Sequence, residues 1–146
     1  MTFTKILDEI QLGIPDEDEN VEPTNRAYWE KRCNKHMLML ADELFKLIKD
    51  IEPLAEMNYN KYYIGIIRNR IAANFCSFKP KKAFVHMIFK SMPDDSLIQQ
   101  MEDSGLDVTK KAKWNELYIK FTQHPTEEQK TLLQKAIEHS RKAYGI

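Results

Sequence analysis

Acidic residues are missing from residues 58–90, NYNKYYIGIIRNRIAANFCSFKPKKAFVHMIFK, a stretch that carries seven Lys or Arg in a chain whose formal net charge is zero. Other scarcities narrow the field. The two cysteines, Cys33 and Cys76, lie far apart and outside any CxxC spacing. A small secreted scaffold would hold more, so a cytoplasmic setting with reduced thiols is expected. There are only four glycines, and none forms a phosphate-cradling loop ahead of a helix. No Ser or Cys stands in a nucleophile-elbow pattern. No apolar run approaches the roughly 18–20 residues that span a bilayer, so no membrane partner is expected. The opening MTFTKILDEIQLG has acids where a secretory signal would be basic.

What is present is the material of one globular domain. The chain has 146 residues, 42% hydrophobic and 30% charged, enough to bury a single core without disulfides or metals. Its neutrality hides an uneven distribution. Residues 1–57 hold 13 acids and 7 bases, residues 58–90 hold 7 bases alone, and residues 91–146 hold 9 acids and 8 bases. A near-neutral isoelectric point therefore leaves room for a locally basic surface.

Residues 1–23 read as a short amphipathic helix, FTKILDEIQL, followed by an acidic linker, IPDEDENVEP. Residues 24–146 read as one α+β domain. Thr24 or Asn25 can cap a long helix in which Cys33, Met37, Leu40, Leu44, Leu47 and Ile51 recur at spacings of four and three, until Pro53 ends it. YYIGII, NFCSF and AFVHMIF then read as three strands of an antiparallel meander. Phe84, His86 and Ile88 alternate with Val85, Met87 and Phe89, so both faces look apolar and covered. A short helix follows Pro93 and stops at Gly105. WNELYIKFT is a fourth strand with Leu117, Ile119 and Phe121 inward. Thr126 and Gln129 form a capping box for the last helix, which buries Leu132, Leu133, Ala136, Ile137 and Tyr144. The expected fold is an antiparallel four-stranded sheet covered by helices, in the order α-β-β-β-α-β-α.

AYWEKR, NYNKYYIG, FKPKKAF, GLDV and WNELYIKF resemble an uncharacterised bacterial domain family. That domain is commonly found at the C-terminus of predicted transport proteins, with relatives appended to restriction-like defence proteins. The resemblance runs from about Tyr28 to Tyr144, implies the same order of helices and strands, and carries over no catalytic residues.

On the expected meander, Lys61 comes beside Lys79, Lys81 and Lys82, together with Asn58, Tyr59, Asn60 and Tyr63. Ammonium groups among amides and phenols suit phosphate or carboxylate, and the rings suit exposed bases. Arg68, Arg70 and Lys90 form a second basic cluster about 20 Å away at the strand rise of about 3.3 Å per residue. Cys33 and His36, at i and i+3, would supply half of a zinc site, but Cys76, His86, His124 and His139 are scattered, so no metal or cofactor is expected. Trp29 and Trp114 read as core anchors. The leading expectation is a non-catalytic binding module for an anionic partner, nucleic acid first. The alternative is a protein-interaction or self-associating module meeting an acidic protein surface. An enzyme with a site near His86, the histidine expected to have a shifted pKa, comes third.

Overall fold

The computed structural model describes residues 24–145, so the helix and acidic linker expected at residues 1–23 lie outside the described residues. Asn25, rather than Thr24, opens the first helix. Its side chain accepts from the Tyr28 amide at 2.9 Å, meeting one of the N–H groups that a helix start leaves unpaired. This helix, α1 (Arg26–Arg32), stops after 7 residues. The single long helix expected from the apolar stripe is broken at Cys33 and Asn34. Asn34 is extended, accepts from the Met37 amide at 2.8 Å to cap α2 (Lys35–Ile51), and donates from Nδ2 to the Lys82 carbonyl at 2.6 Å. One short amide side chain thus serves a helix start and a distant strand turn, which competes with continuing the helix.

Five strands follow: β1 (Ala55–Tyr59), β2 (Ile64–Arg68), β3 (Ile71–Ala72), β4 (Cys76–Pro80) and β5 (Val85–Phe89). Then come α3 (Asp95–Asp103), β6 (Asp107–Lys111), β7 (Glu116–Phe121) and α4 (Glu127–Tyr144). Among the described residues, four α-helices accompany one seven-stranded antiparallel sheet of order β1-β2-β4-β5-β7-β6, with β3 paired beside β2. The expected four strands are therefore too few, and β1, β3 and β6 enlarge the sheet. The segment RNRIAA, between the first two strands of the expected meander, is itself part of a hairpin. Asn69 and Arg70 take positive φ of 57° and 65°, the two-residue geometry that suits the twist of paired strands, and Ile71 begins β3.

Strand register sorts the side chains into two faces. Ile64, Ile66, Phe78, Val85, Met87, Phe89, Leu117 and Ile119 lie on one face and are fully buried. Against them α2 brings Leu38, Leu44 and Ile48, and α4 brings Leu133 and Ile137, all fully buried. Burial of this apolar area, at about 25 cal/mol per Å², is the main force holding the helices to the sheet. The other face was expected to be covered too, and among the described residues no helix covers it. Its positions include Lys79, His86, Tyr118 and Lys120, half-buried or exposed.

The remaining expectations about the helices fare mostly well. The Thr126–Gln129 capping box is present in both directions, and Gly105, at φ +98°, follows the end of α3. Leu132, Leu133, Ala136 and Ile137 are buried, whereas Tyr144 is 46% exposed and meets Phe75 edge-on. The tryptophans part company. Trp29 is buried and donates from Nε1 to the Asn60 carbonyl at 2.9 Å, but Trp114 is 65% exposed in the turn before β7 and is no core anchor.

Gly65 is required by close approach. The Asn74 carboxamide lies over it and accepts from the Ile66 amide at 2.8 Å, acting as a strand partner where the β2–β4 ladder is short. A Cβ at residue 65 would overlap Asn74 Oδ1. Gly65→Ala should therefore displace Asn74 and orphan a strand amide, costing about 2 kcal/mol. Urea unfolding would check this, and an undiminished midpoint would mean that Asn74 is not needed there.

Candidate functional site

The helix-free face is where polar chemistry accumulates. Reading across the register, Lys79 of β4 stands opposite His86 of β5, and His86 opposite Lys120 of β7. Ser77 pairs with Ile88, and Ile88 with Tyr118, on the same face. Tyr63 and Asn74 close one side, Lys90 and Glu116 the other. Apart from His86 and Lys120, these residues together line a depression of about 320 Å³. Its floor is Ser77 and Ile88, both buried, and its rim is charged. Lys90 Nζ donates to Glu116 Oε2 at 2.9 Å, so one ammonium group at the rim is already balanced. Among the described residues no carboxylate forms an ion pair with Lys79 or Lys120, although Asp107 of β6 stands opposite Lys120 in the register.

Beside the depression runs a row of rings. Phe84 and His86 have centroids 4.9 Å apart, and His86 and Tyr118 5.6 Å apart. Lys120 Nζ sits 4.7 Å from the Phe84 centroid and Lys111 Nζ 5.3 Å from that of Tyr118. Each ammonium group rests against a π-face and adds a modest attraction. Burial, then the nearby Glu116 carboxylate, raise the Tyr118 pKa, so the phenol stays protonated and able to donate.

His86 senses this charge directly. Its pKa is lowered, first by burial and then by the positive fields of Lys120, Lys81 and Lys79, with Asp107 pulling weakly the other way. Three elements thus direct ammonium groups at one imidazole. The sign for stability follows. The folded state resists a proton that the unfolded chain accepts near pH 6.5, so His86 contributes a loss of stability as pH falls through that value. We expect the His86 imidazole to titrate below 6.5 by NMR, and the acid-side loss to shrink in His86→Gln. A titration at or above 6.5 would contradict the convergence of these lysines.

The residues singled out from sequence divide between this face and other places. Tyr63 and Lys79 line the depression, and so does Lys90, which the sequence reading grouped with Arg68 and Arg70. Lys81 and Lys82 are exposed in the β4–β5 turn. Asn58 shares the open face with Gly65, while Tyr59 faces the helices, and its hydroxyl accepts from Arg26 Nη1 at 3.1 Å. Arg26 also forks onto Asp42 at 3.0 and 2.6 Å. Asn60 and Lys61 offer their carbonyls to Trp29 and Tyr28, at 2.9 and 3.1 Å, so this turn is bound to α1. The Lys61 ammonium rests 5.5 Å from the ring of exposed Tyr62. Arg68 lies on the helix side, 3.1 Å from Glu52, and Arg70 is exposed in the β2–β3 hairpin. Cys33 is buried and bonds the Trp29 carbonyl. Among the described residues no three His, Cys, Asp or Glu side chains gather as metal ligands.

Sequence reasoning missed Phe84, His86, Lys111, Tyr118 and Lys120 as neighbours. The signal was present: His86 and Lys120, like Tyr118, occupy the polar phase of alternating strands, and a polar phase marks an open face. No described helix is long and apolar enough to cross a membrane. No protein-family model matches the chain, and no curated protein matches it.

Proposed function

We propose that this chain is a non-catalytic binding module whose helix-free sheet face engages an anionic partner, nucleic acid before any other. The observation that carries the reading is that Lys79 of β4 and Lys120 of β7 flank His86 of β5 in the register, with exposed Lys81 in the adjoining β4–β5 turn. Long flexible ammonium groups around a ring-bearing surface can meet phosphates while leaving π-faces for bases. Glu116 is half-buried and already occupied by Lys90, an arrangement suited to shaping a depression. The likeness of NYNKYYIG and FKPKKAF to a domain appended to larger bacterial proteins fits a module of this kind, and a cytoplasmic setting fits its ligand.

The test is binding of labelled single- and double-stranded DNA and RNA by fluorescence anisotropy across a salt series. Three phosphate contacts predict that log K falls with log salt at a slope of about −2 to −3. Absence of binding at low salt to all four probes would sink the reading and turn the search to acidic protein surfaces.

A further inference from the structure

We infer that the ligand of the open face is single-stranded nucleic acid, its unpaired bases stacked on the Phe84–His86–Tyr118 row and one base seated in the depression between Tyr63 and Tyr118. This rests on the nucleic-acid reading above and narrows it to a substrate class. The rings decide the strand state. Within a duplex every base face is already stacked on its neighbours, and a flat sheet face cannot enter a groove as a helix or ribbon does. Phe84 lies just before β5, His86 on β5 and Tyr118 diagonally across on β7, with centroids 4.9 and 5.6 Å apart. Such rings can reward only a base whose face is free.

The depression adds selectivity for something smaller than a helix. At about 320 Å³ it lies at the lower end of ligand pockets, which run from about 300 to 1,000 Å³. Its polar lining sets Asn74, Ser77 and Glu116 beside Lys79 and Lys90, groups that both donate and accept. Glu116, bridged to Lys90, can still accept from an exocyclic amino group or a sugar hydroxyl, so the edge of a nucleoside fits inside. The ammonium groups that would take its phosphates are Lys79 in the lining, Lys120 over Phe84, and Lys111 over Tyr118. Each lysine can swing from its ring to a phosphate and uncover the face on which a base then stacks. An acidic peptide would meet the lysines equally well but would leave the ring row and the nucleoside-sized depression without purpose.

The experiment compares fluorescein-labelled 12-nucleotide dT, dA and rU strands, a 20-base-pair duplex and a poly-glutamate peptide, at 50 mM salt. It uses the full chain and its Tyr118→Leu, Tyr118→Phe and Phe84→Leu variants. Single strands should bind at least tenfold tighter than duplex. Tyr118→Leu and Phe84→Leu should each weaken single-strand binding about tenfold, as loss of a stacking ring does, and Tyr118→Phe should retain most of it. Duplex binding as tight as single-strand binding overturns the inference even if the variants fold poorly, because that comparison needs only the native chain. Leu variants that bind single strands as the native chain does also overturn it, as does poly-glutamate matching the strands. Salt-dependent but strand-indifferent binding would leave the broader nucleic-acid reading standing, whereas no binding to any nucleic acid would end both.

Discussion

Exchanging Lys79, Lys81 and Lys120 together for Glu should weaken nucleic-acid binding at least a hundredfold and flatten its salt dependence. The three side chains come from β4, the β4–β5 turn and β7, and Lys79 and Lys120 flank His86 in the register. Reversal replaces three attractive contacts with three repulsive ones and removes the counterion release they would drive. The fold should tolerate it, since Lys81 and Lys120 are exposed and Lys79 is half-buried. An internal check needs no ligand. With carboxylates in place of ammonium groups, the His86 pKa should rise, visible in the same NMR titration. A control that reverses Lys46, Lys135 and Lys142, exposed on α2 and α4, should bind as the native chain does. Equal loss in both triple variants would mean that overall charge, and not this face, governs binding.

Glu52→Ala should destabilise the domain by about 2 kcal/mol, below the buried-pair scale because Arg68 is 38% exposed and meets the carboxylate without hydrogen-bond geometry. Glu52 is 6% exposed just beyond the end of α2. Its carboxylate lies 3.1 Å from Arg68 Nε of β2 and 3.8 Å from Arg141 Nη1 of α4. It therefore ties both covering helices to the sheet at one point. Truncation leaves the Arg68 guanidinium without its carboxylate, while Arg141 keeps Glu138. The melting temperature should fall by about 7 °C. Pairing Glu52→Ala with Arg68→Ala should cost less than the two changes summed, because the second removes a charge the first has stranded. A loss under about 1 kcal/mol for Glu52→Ala would mean that the carboxylate is no clamp.

The nucleic-acid reading and the Glu52 clamp differ in how far the sequence shows them. Glu52 sits beside Pro53 in an ordinary acidic helix end, with nothing in the local pattern to mark it as buried. Arg68 and Arg141 reach it from 16 and 89 positions away, a meeting that only packing creates. The basic meander was visible because charge is a property of composition. Its division was not: Arg68 falls to the helix side and Lys79 to the open side because strand phase and register, not sequence proximity, choose the face.

The strands tell the same story at the level of pattern. AEMNY alternates Ala55, Met57 and Tyr59 against Glu56 and Asn58, so β1 could have been read from period alone. DVTKK offers only Val108, and β3 is 2 residues long; both are strands because β7 and β2 supply partners. The stripe through Cys33 and Met37 ran across a real break, since three-and-four spacing continues whether or not the backbone does. Asn34, a good cap in a poor helix position, was the local mark of that break.

By itself the sequence determined an α+β domain, its principal helices, the meander and the basic character of residues 58–90, because periodicity, capping and charge are local properties. Tertiary structure alone decided which face of the sheet stays open, that Trp114 is outside and Glu52 inside, and that Tyr63, Lys79, Lys90 and Tyr118 share one depression. The physical reason is that a strand's side chains point both ways, and only the packing of α2 and α4 on one side leaves the other to solvent.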